Sequence, residues 1–153
     1  MAETSTINEV FTLFTKTREE ATAPSYAHYG DAGADLYAAE GAVIAVGQRA
    51  VVDTGIAIAL CNGYEAQIRS RSGLAAKHGI VVLNSPGTID SGYRDSIKVI
   101  LYNTGSEMYV VEVGQRIAQL VLAQYSRVYF FESNEFFPSG TPRGNGGLGS
   151  TGK

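Results

Sequence analysis

The chain has 153 residues, of which 44% are hydrophobic and 18% charged, with a formal net charge of -3 and a single cysteine. This balance fits one globular domain and excludes a disordered chain, a disulfide framework and a zinc cluster built on several cysteines. No apolar run reaches the roughly 18 residues of a membrane-spanning helix, and no basic surplus favours duplex DNA as a partner. The first residues lack a secretory signal, so we expect an intracellular, cytoplasmic protein, or a nuclear one if the source is eukaryotic or viral.

Short apolar or alternating runs recur along the chain, separated by glycine, asparagine or aspartate. This pattern predicts the strands of a β-sandwich or barrel. Only Gly73–His78 predicts a helical turn. The predicted strands, in chain order, are Val10–Thr15, Ala34–Ala38, Val43–Val46, Ala50–Val52, Ile56–Leu60, Tyr64–Arg69, Ile80–Leu83, Ile97–Tyr102, Met108–Val113, Ile117–Gln124 and Val128–Phe131.

The run Ile97–Tyr102 is apolar almost throughout. A continuously apolar strand predicts burial on both faces. In a small β-sandwich the second face is often covered by another subunit, so we expect an oligomer.

Two segments combine polar groups that suit catalysis or anion binding. Arg71, Ser72 and Gly73 place a guanidinium, a hydroxyl and an open amide at the start of the helical turn, which suits an oxyanion; a simple cap and turn is the alternative. In the loop or hairpin Asn84–Tyr93, Asp90 is either a general base for water or a turn-forming residue. Tyr93 either stacks on a ligand or fills the core.

Polar residues also interrupt two predicted strands. Aspartate is disfavoured inside strands, so Asp35 is either a bulge residue or a carboxylate aimed at a metal-bound water. Arg116 and Gln119 are three apart, which predicts opposite strand faces. His28 and His78 lack ligand-spaced partners and are expected at the surface.

The last 14 residues hold six glycines and predict a flexible tail. Gly144–Gly149 fits GxGxxG and Gly147–Lys153 nearly fits a Walker A pattern, but neither has the flanking strand and helix that such sites need. Successive small residues can still wrap phosphate oxygens with backbone amides. Arg143, Ser150 and Thr151 add a guanidinium and two hydroxyls to such a site.

Five segments together resemble the five motifs of the trimeric dUTP diphosphatases (dUTPases) in order and spacing. The resemblance implies an all-β, distorted β-jelly-roll of the dUTPase-like β-clip type, forming a homotrimer with shared active sites. It divides the chain into a core, residues 1–137, and a mobile glycine-rich arm, residues 138–153, that closes over a neighbouring subunit's site. The segments are AGADL at 32–36, RSGLA at 71–75, NSPGTIDSGY at 84–93, GQRIAQL at 114–120 and RGNGGLGSTG at 143–152.

The resemblance further implies hydrolysis of dUTP to dUMP and diphosphate with Mg²⁺, which supplies dUMP for dTTP synthesis and keeps uracil out of DNA. Asp90 would activate the water that attacks the α-phosphorus. Tyr93 would pack under the sugar and exclude a 2′-OH. The remaining base- and sugar-binding residues would be Asn84, Gly87, Thr88, Ile89 and Lys98.

The resemblance implies that residues from three regions of the chain would contact the phosphates of the substrate. Arg71, Ser72 and Gly73 would bind them, and Gln119 would support the α-phosphate and the Mg²⁺ waters. Asp35 would hold the metal through water, while the triphosphate carries most of its coordination. In the arm, the phosphate-binding residues would be Arg143, Gly149, Ser150 and Thr151.

The chain departs from the family pattern at two positions. Leu148 stands where the arm usually has an aromatic ring that stacks on uracil, so it would contact the base without stacking on it. Ser70 replaces a proline that often precedes the Arg-Ser-Gly triplet.

Three alternatives stay open at this point. A dCTP deaminase shares the fold but uses a glutamate and carries a second serine at the position of Gly73. A non-catalytic trimer that senses dUTP or docks a partner would make Leu148 informative. A purely structural β-sandwich would use none of these residues for chemistry. Neither nucleic acid nor membrane is expected as a direct partner.

Overall fold

The computed structural model describes residues 10–133. Eleven strands and one short helix are seen in that range. In chain order they are β1 (Leu13–Lys16), β2 (Gly33–Tyr37), β3 (Ala42–Ile44), β4 (Arg49–Asp53), β5 (Ile56–Ala59), β6 (Tyr64–Arg69), α1 (Ser72–His78), β7 (Ile80–Val82), β8 (Gly87–Ile89), β9 (Lys98–Asn103), β10 (Tyr109–Val111) and β11 (Arg116–Gln124).

The strands form four sheets, and every pairing between them is antiparallel. The largest sheet has the order β2-β11-β6-β8, and a second has the order β4-β9-β7. The pairs β1-β5 and β10-β3 complete the fold. This arrangement confirms the all-β prediction.

All four sheets contribute to one apolar core. Burial alternates along β7 and β9, as in strands with one inward face, whereas three consecutive residues are buried in β2 and in β5. The largest fully buried side chains of the core are Leu36, Ile44, Val52, Ile56, Ile80, Ile97, Val99, Leu101, Val111 and Ile117.

The predicted strands are confirmed, within shifts of a few residues, as far as Ile117–Gln124. The prediction for Val128–Phe131 is wrong, because these residues follow β11 without strand pairing. Strand β8 was not predicted, since its sequence Gly-Thr-Ile is too short to show a period. The helical turn is confirmed as α1, and it ends at Gly79 with a left-handed φ of 68°. A Cβ at Gly79 would lie 2.5 Å from the Gly105 nitrogen, so both conformation and space require glycine.

The sequence predicts burial of β9 on both faces. Within one chain its residues alternate, with Val99 and Leu101 fully buried and Ile100 and Tyr102 only half-buried. One face of β9 is therefore buried in the single chain. The second face carries apolar side chains that residues 10–133 cover only in part, and its burial by another subunit stays a prediction.

The division between residues 137 and 138 lies outside the described residues. Among the helices of residues 10–133, none has the length and apolar character needed to cross a membrane.

Candidate active site

Asp35 lies in the middle of β2 and is 5% exposed. Its Oδ1 accepts a hydrogen bond from Arg71 Nε at 3.0 Å, and its Oδ2 accepts one from Arg116 at 3.1 Å. A buried carboxylate is tolerated when it is paired and hydrogen-bonded, and here both oxygens have a guanidinium partner. The two arginine contacts explain why an aspartate is tolerated inside this strand. The sequence allowed two interpretations of Asp35. The first, that Asp35 is itself a bulge residue, is wrong.

A β-bulge is present in the opposite strand, β11. The register with β2 shifts between Arg116 and Ala118, and Gln119 becomes the direct partner of Asp35. Directly opposite residues of an antiparallel pair project to the same face. Because the bulge adds one residue, Arg116 also reaches Asp35. The prediction of opposite faces for Arg116 and Gln119 is therefore wrong.

Gly33 has no side chain and so leaves space for the side chain of Gln119. A Cβ on Gly33 would lie 3.3 Å from Gln119 Cβ and Cδ and 3.4 Å from Oε1. The Gln119 amide thus lies over Gly33, two residues before Asp35 on the same face of β2. We call Asp35, Arg71, Arg116 and Gln119 the Asp35 cluster.

The segment after β6 brings Arg71 to this cluster. Arg71 has extended backbone angles at the N-cap of α1, and its guanidinium also donates to the Arg116 carbonyl at 3.3 Å. Ser72 and Gly73 are exposed, and a Cβ at Gly73 would meet nothing within 4 Å. Packing among residues 10–133 therefore does not explain why position 73 is glycine.

Ser70 has a role that the sequence did not reveal. Its Oγ accepts a hydrogen bond from the Val82 amide at 2.8 Å, which ties the end of β6 to β7. A proline side chain has no such acceptor. This hydrogen bond fixes the position of Ser70, which directly precedes Arg71.

The Asp35 cluster carries two positive charges against one negative charge. The side chains of Arg71 and Arg116 are 22% and 50% exposed, so part of each guanidinium stays accessible. Arginine presents several donors in a fixed plane that matches carboxylate and phosphate oxygens. The cluster is chemically suited to bind an anion.

A protein cage for a metal is absent from residues 10–133, where no group of three or more potential metal ligands is found. Asp35 is a poor direct ligand because both of its oxygens already accept from arginine. Each carboxylate oxygen still has a second lone pair that can accept from a metal-bound water. These residues fit a Mg²⁺ ion that is coordinated mainly by its own ligand and water.

The second group of candidate residues is residues 84–98, here called the Asp90 loop. It begins with Asn84, whose amide lies 3.1 Å from the position that a Cβ on Gly87 would occupy. Strand β8 then pairs with β6, with Gly87 opposite Ile68 and Ile89 opposite Ala66. Thr88 is exposed and Ile89 is half-buried. The hairpin alternative is observed in a long form, because the flanking strands β7 and β9 pair antiparallel and the segment between them carries β8.

Asp90 lies at the turn that follows β8. The Tyr93 amide donates to the Asp90 carbonyl at 3.0 Å, and Arg94 donates to the Ser91 and Tyr93 carbonyls at 2.6 and 2.8 Å. Within residues 10–133 the exposed Asp90 carboxylate accepts no hydrogen bond. The backbone forms the turn while the carboxylate stays available to a water molecule.

The rest of the loop fixes Tyr93 and Lys98. The half-buried Tyr93 donates its hydroxyl to the Ser96 carbonyl at 2.9 Å. Lys98 contacts Asp95 at 3.0 Å, and this hydrogen bond raises the pKa of Lys98 despite partial desolvation. Lys98 therefore remains a cation at neutral pH.

The candidate residues thus form two separate groups in one chain. Within the described residues no hydrogen bond joins a member of the Asp35 cluster to Asn84, Asp90, Tyr93 or Lys98. The surface prediction for His28 and His78 is confirmed. The predicted arm residues lie outside the described residues: Arg143, Leu148, Gly149, Ser150 and Thr151.

Sequence reasoning missed Asp53 and Ser96. Ser96 is 3% exposed, and its hydroxyl donates a short hydrogen bond to Asp53 Oδ1. The two residues are 43 positions apart, so no local motif could pair them.

Comparison with known proteins identifies the family. The dUTPase family model matches residues 19–152. A deoxyuridine 5′-triphosphate nucleotidohydrolase of Rickettsia canadensis (strain McKiel) is 54% identical over 131 residues, covering 84% of this chain and 87% of the relative.

Solved structures agree with this match. A mutant dUTPase of Staphylococcus bacteriophage 80alpha with dUpNHpp has a TM-score of 0.84 and 26% identity, covering 94% of this chain and 99% of that one. A mutant dUTPase from phage phi11 of S. aureus, described as revealing the coordination of a structural Mg(II) ion, has a TM-score of 0.76 and 25% identity over 84% of this chain and 99% of that one. The family match over most of the chain confirms the resemblance found in the sequence, and the chain belongs to the dUTPase family.

Proposed function

We propose that the chain hydrolyses dUTP to dUMP and diphosphate by water attack on the α-phosphorus. The observation that carries this proposal is the exposed Asp90 carboxylate, which is held on an ordered turn and accepts no hydrogen bond within residues 10–133. A general base needs a free acceptor within reach of its water. Membership of the dUTPase family supplies the substrate class.

The reaction balances with Asp90 as the base. Asp90 takes one proton from water while the water oxygen forms a bond to the α-phosphorus. The bond between the α-phosphorus and the bridging oxygen to the β-phosphorus breaks, and diphosphate leaves with that electron pair. Donors aimed at the developing negative charge stabilise such a transition state.

Phosphate binding falls to the Asp35 cluster and its neighbours. Arg71 keeps donors free after pairing with Asp35, and Ser72 adds an exposed hydroxyl beside it. Gln119 adds an amide next to Asp35. The arm residues Arg143 and Gly149–Thr151 would complete the phosphate site.

Mg²⁺ is proposed as the cofactor, carried largely by the triphosphate. When bound, it would neutralise phosphate charge and order the oxygens for attack. Asp35 would accept a hydrogen bond from one of its waters, consistent with the lone pairs left after the arginine contacts. Gln119 would hold another of these waters.

Selectivity is assigned to the Asp90 loop. The antiparallel pairing of β8 with β6 makes Gly87–Ile89 a rigid edge whose main-chain groups can hydrogen-bond uracil. Asn84 and Lys98 flank this edge. Tyr93, with its hydroxyl tied to Ser96, would support the deoxyribose and leave no room for a 2′-OH.

We also propose a homotrimer in which neighbouring subunits combine the two groups into one site. The support is that a single chain leaves them unconnected and exposes consecutive apolar residues. Val128, Tyr129, Phe130 and Phe131 are 61%, 73%, 93% and 88% exposed, which marks an interaction surface. Sedimentation equilibrium should give three times the chain mass, and a monomer at micromolar concentration would contradict this proposal.

Hydrolysis in water enriched in the heavy oxygen isotope tests the reaction itself. Mass spectrometry of both products should find the label in dUMP. Label in diphosphate would place the attack on the β-phosphorus and contradict the proposed step. Ammonia release from dCTP would indicate a deaminase instead.

A further inference from the structure

We propose that Asp53 and Ser96 are positioning residues that fix Tyr93 and thereby set the preference for deoxyribose over ribose. This inference rests on the proposed function, in which Tyr93 supports the sugar. It assigns a role to two side chains from separate segments, the end of β4 and the residue before the core residue Ile97.

The connection begins at the tyrosine hydroxyl. Tyr93 donates to the Ser96 carbonyl at 2.9 Å, so the position of its ring depends on where the backbone of Ser96 lies. Asn62 accepts from the Ser91 hydroxyl at 3.3 Å and Arg94 bonds the turn carbonyls, but neither contact holds the ring itself. The hydroxyl contact is the one that acts at the end of the side chain.

Ser96 is in turn held by Asp53. Ser96 is 3% exposed, and its hydroxyl donates to Asp53 Oδ1. Its amide donates to the Asp95 carboxylate at 2.7 Å. A buried hydroxyl without a partner would be costly, so the aspartate restricts both the rotamer and the backbone position of Ser96.

Asp53 is itself immobilised at the β4-β5 turn. Its Oδ1 also accepts from the Gly55 amide at 2.8 Å, and its Oδ2 lies 3.5 Å from Arg18. Gly55 has a left-handed φ of 65°, and a Cβ there would lie 2.7 Å from Ala21 Cβ, so the turn has one well-defined form. A carboxylate fixed in this way offers Ser96 a rigid acceptor.

The charge of Asp53 agrees with this role. Burial raises the pKa of Asp53, but the hydrogen bonds from Ser96 and Gly55 and the charges of Lys98 and Arg18 outweigh it, so the pKa falls below the ordinary value of 3.8. The carboxylate is ionised at neutral pH. Hydrogen bonds to an ionised acceptor are stronger than neutral ones.

Adjacent backbone contacts hold the next residue independently. The Thr54 amide donates to the Ile97 carbonyl at 3.1 Å, and the Ile97 amide donates to the Ile56 carbonyl at 2.8 Å. Removing the Ser96 hydroxyl should therefore leave the loop folded. The loss of this hydroxyl should increase the mobility of Ser96 and of Tyr93, whose hydroxyl donates to the Ser96 carbonyl.

The test compares Ser96→Ala and the isosteric Asp53→Asn with wild type, using dUTP and UTP. Ser96→Ala should lower the ratio of kcat/KM for dUTP to kcat/KM for UTP by about tenfold, the effect of one lost charge-assisted hydrogen bond. Asp53→Asn keeps a neutral acceptor for the Ser96 hydroxyl, so it should lower the ratio in the same direction by a smaller factor. We expect kcat for dUTP to change by less than about twofold, since neither residue reaches the reacting atoms. Thr104→Ala is the matched control, because its hydroxyl donates to the Gly79 carbonyl beyond the other end of β9; the control should keep the wild-type ratio.

A double-mutant cycle distinguishes the positioning of Tyr93 through Ser96 from a general loosening of the Asp90 loop. Tyr93→Phe removes the hydrogen bond from the tyrosine hydroxyl to the Ser96 carbonyl, through which Ser96 acts on the ring. Ser96→Ala should therefore cause no further loss of selectivity in that background. Additive losses, or an unchanged ratio in both single variants, would overturn the inference while leaving dUTP hydrolysis intact. Failure of wild type to hydrolyse dUTP would overturn the proposed function and this inference with it.

Discussion

The Asp35 cluster and the Asp90 loop hold their carboxylates in different ways. The cluster is formed by side chains that contact one another: a carboxylate 5% exposed lies between two guanidinium groups. The loop is fixed by its backbone, and its Asp90 carboxylate, the proposed base, is exposed. A group that binds charge benefits from fixed partners, whereas a base must keep its lone pairs free for water.

The comparison also bears on the proposed sharing of a site between subunits. The Asp35 cluster spans β2, β11 and the start of α1, while the loop leads from β8 to β9. Each group has its own internal hydrogen bonds. In the proposed trimer, assembly would combine the two groups without refolding either one.

Replacing Asp90 should have the largest effect on catalysis. Asp90→Asn keeps the shape but removes the base, so we expect kcat to fall about 100- to 10,000-fold with little change in the unfolding midpoint. Steady-state kinetics on dUTP measures this. Glu112→Gln is the control, because Glu112 is an exposed carboxylate in the turn before β11. A rate in Asp90→Asn equal to wild type would remove Asp90 from the mechanism.

Replacing Asp35 should affect folding as well as binding. Asp35→Asn leaves Arg71 and Arg116 without their charged partner, and we expect a loss of about 2 kcal/mol in unfolding free energy, less than for a fully buried pair because Arg116 is half exposed. Denaturant titration measures the loss, with the exposed Asp31→Asn as control. Unchanged stability would show that the arginines do not depend on Asp35.

The arm allows a prediction about affinity alone. Leu148→Phe introduces the aromatic ring that the family resemblance leads us to expect against uracil, and base–aromatic stacking is worth about 1–3 kcal/mol. We expect KM for dUTP to fall about tenfold with little change in kcat. Leu148→Ile keeps an aliphatic side chain and serves as control. An unchanged KM in Leu148→Phe would refute the assigned contact.

The smallest effect is expected from Asp53 and depends on pH. The folded-state pKa of Asp53 is lowered, so its stabilisation is complete above the ordinary value of 3.8 and is lost as the pH falls through the lowered value. Asp53→Asn should therefore cost about 1 kcal/mol at neutral pH and progressively less below pH 3.8. A difference independent of pH would mean that the charge of Asp53 contributes nothing to folding.

The sequence predicted the strands well because short apolar or alternating runs are separated by glycine, asparagine or aspartate. It also predicted the candidate residues, through five ordered segments that resemble one family. It did not predict the bulge between Arg116 and Ala118, since a bulge depends on the register of two strands far apart in sequence. The arginine partners of Asp35 are 36 and 81 positions away, and local patterns carry no information about such pairs.

The sequence did not show what covers the second face of β9, for a related reason. An apolar sequence shows that a face can be buried, but it does not show which chain covers it. Ile100 and Tyr102 are half-buried in the single chain. Their cover must be sought between chains, and the proposed trimer offers it.

Diphosphate release from dUTP, with and without Mg²⁺ and beside dCTP, dTTP and UTP, tests the central claim most directly. The account predicts fast, Mg²⁺-dependent release from dUTP alone, because one loop selects both base and sugar while the Asp35 cluster binds phosphate. Equal release from all four nucleotides would contradict the role of the loop. Binding of dUTP without release would contradict the role of Asp90 and indicate a dUTP sensor.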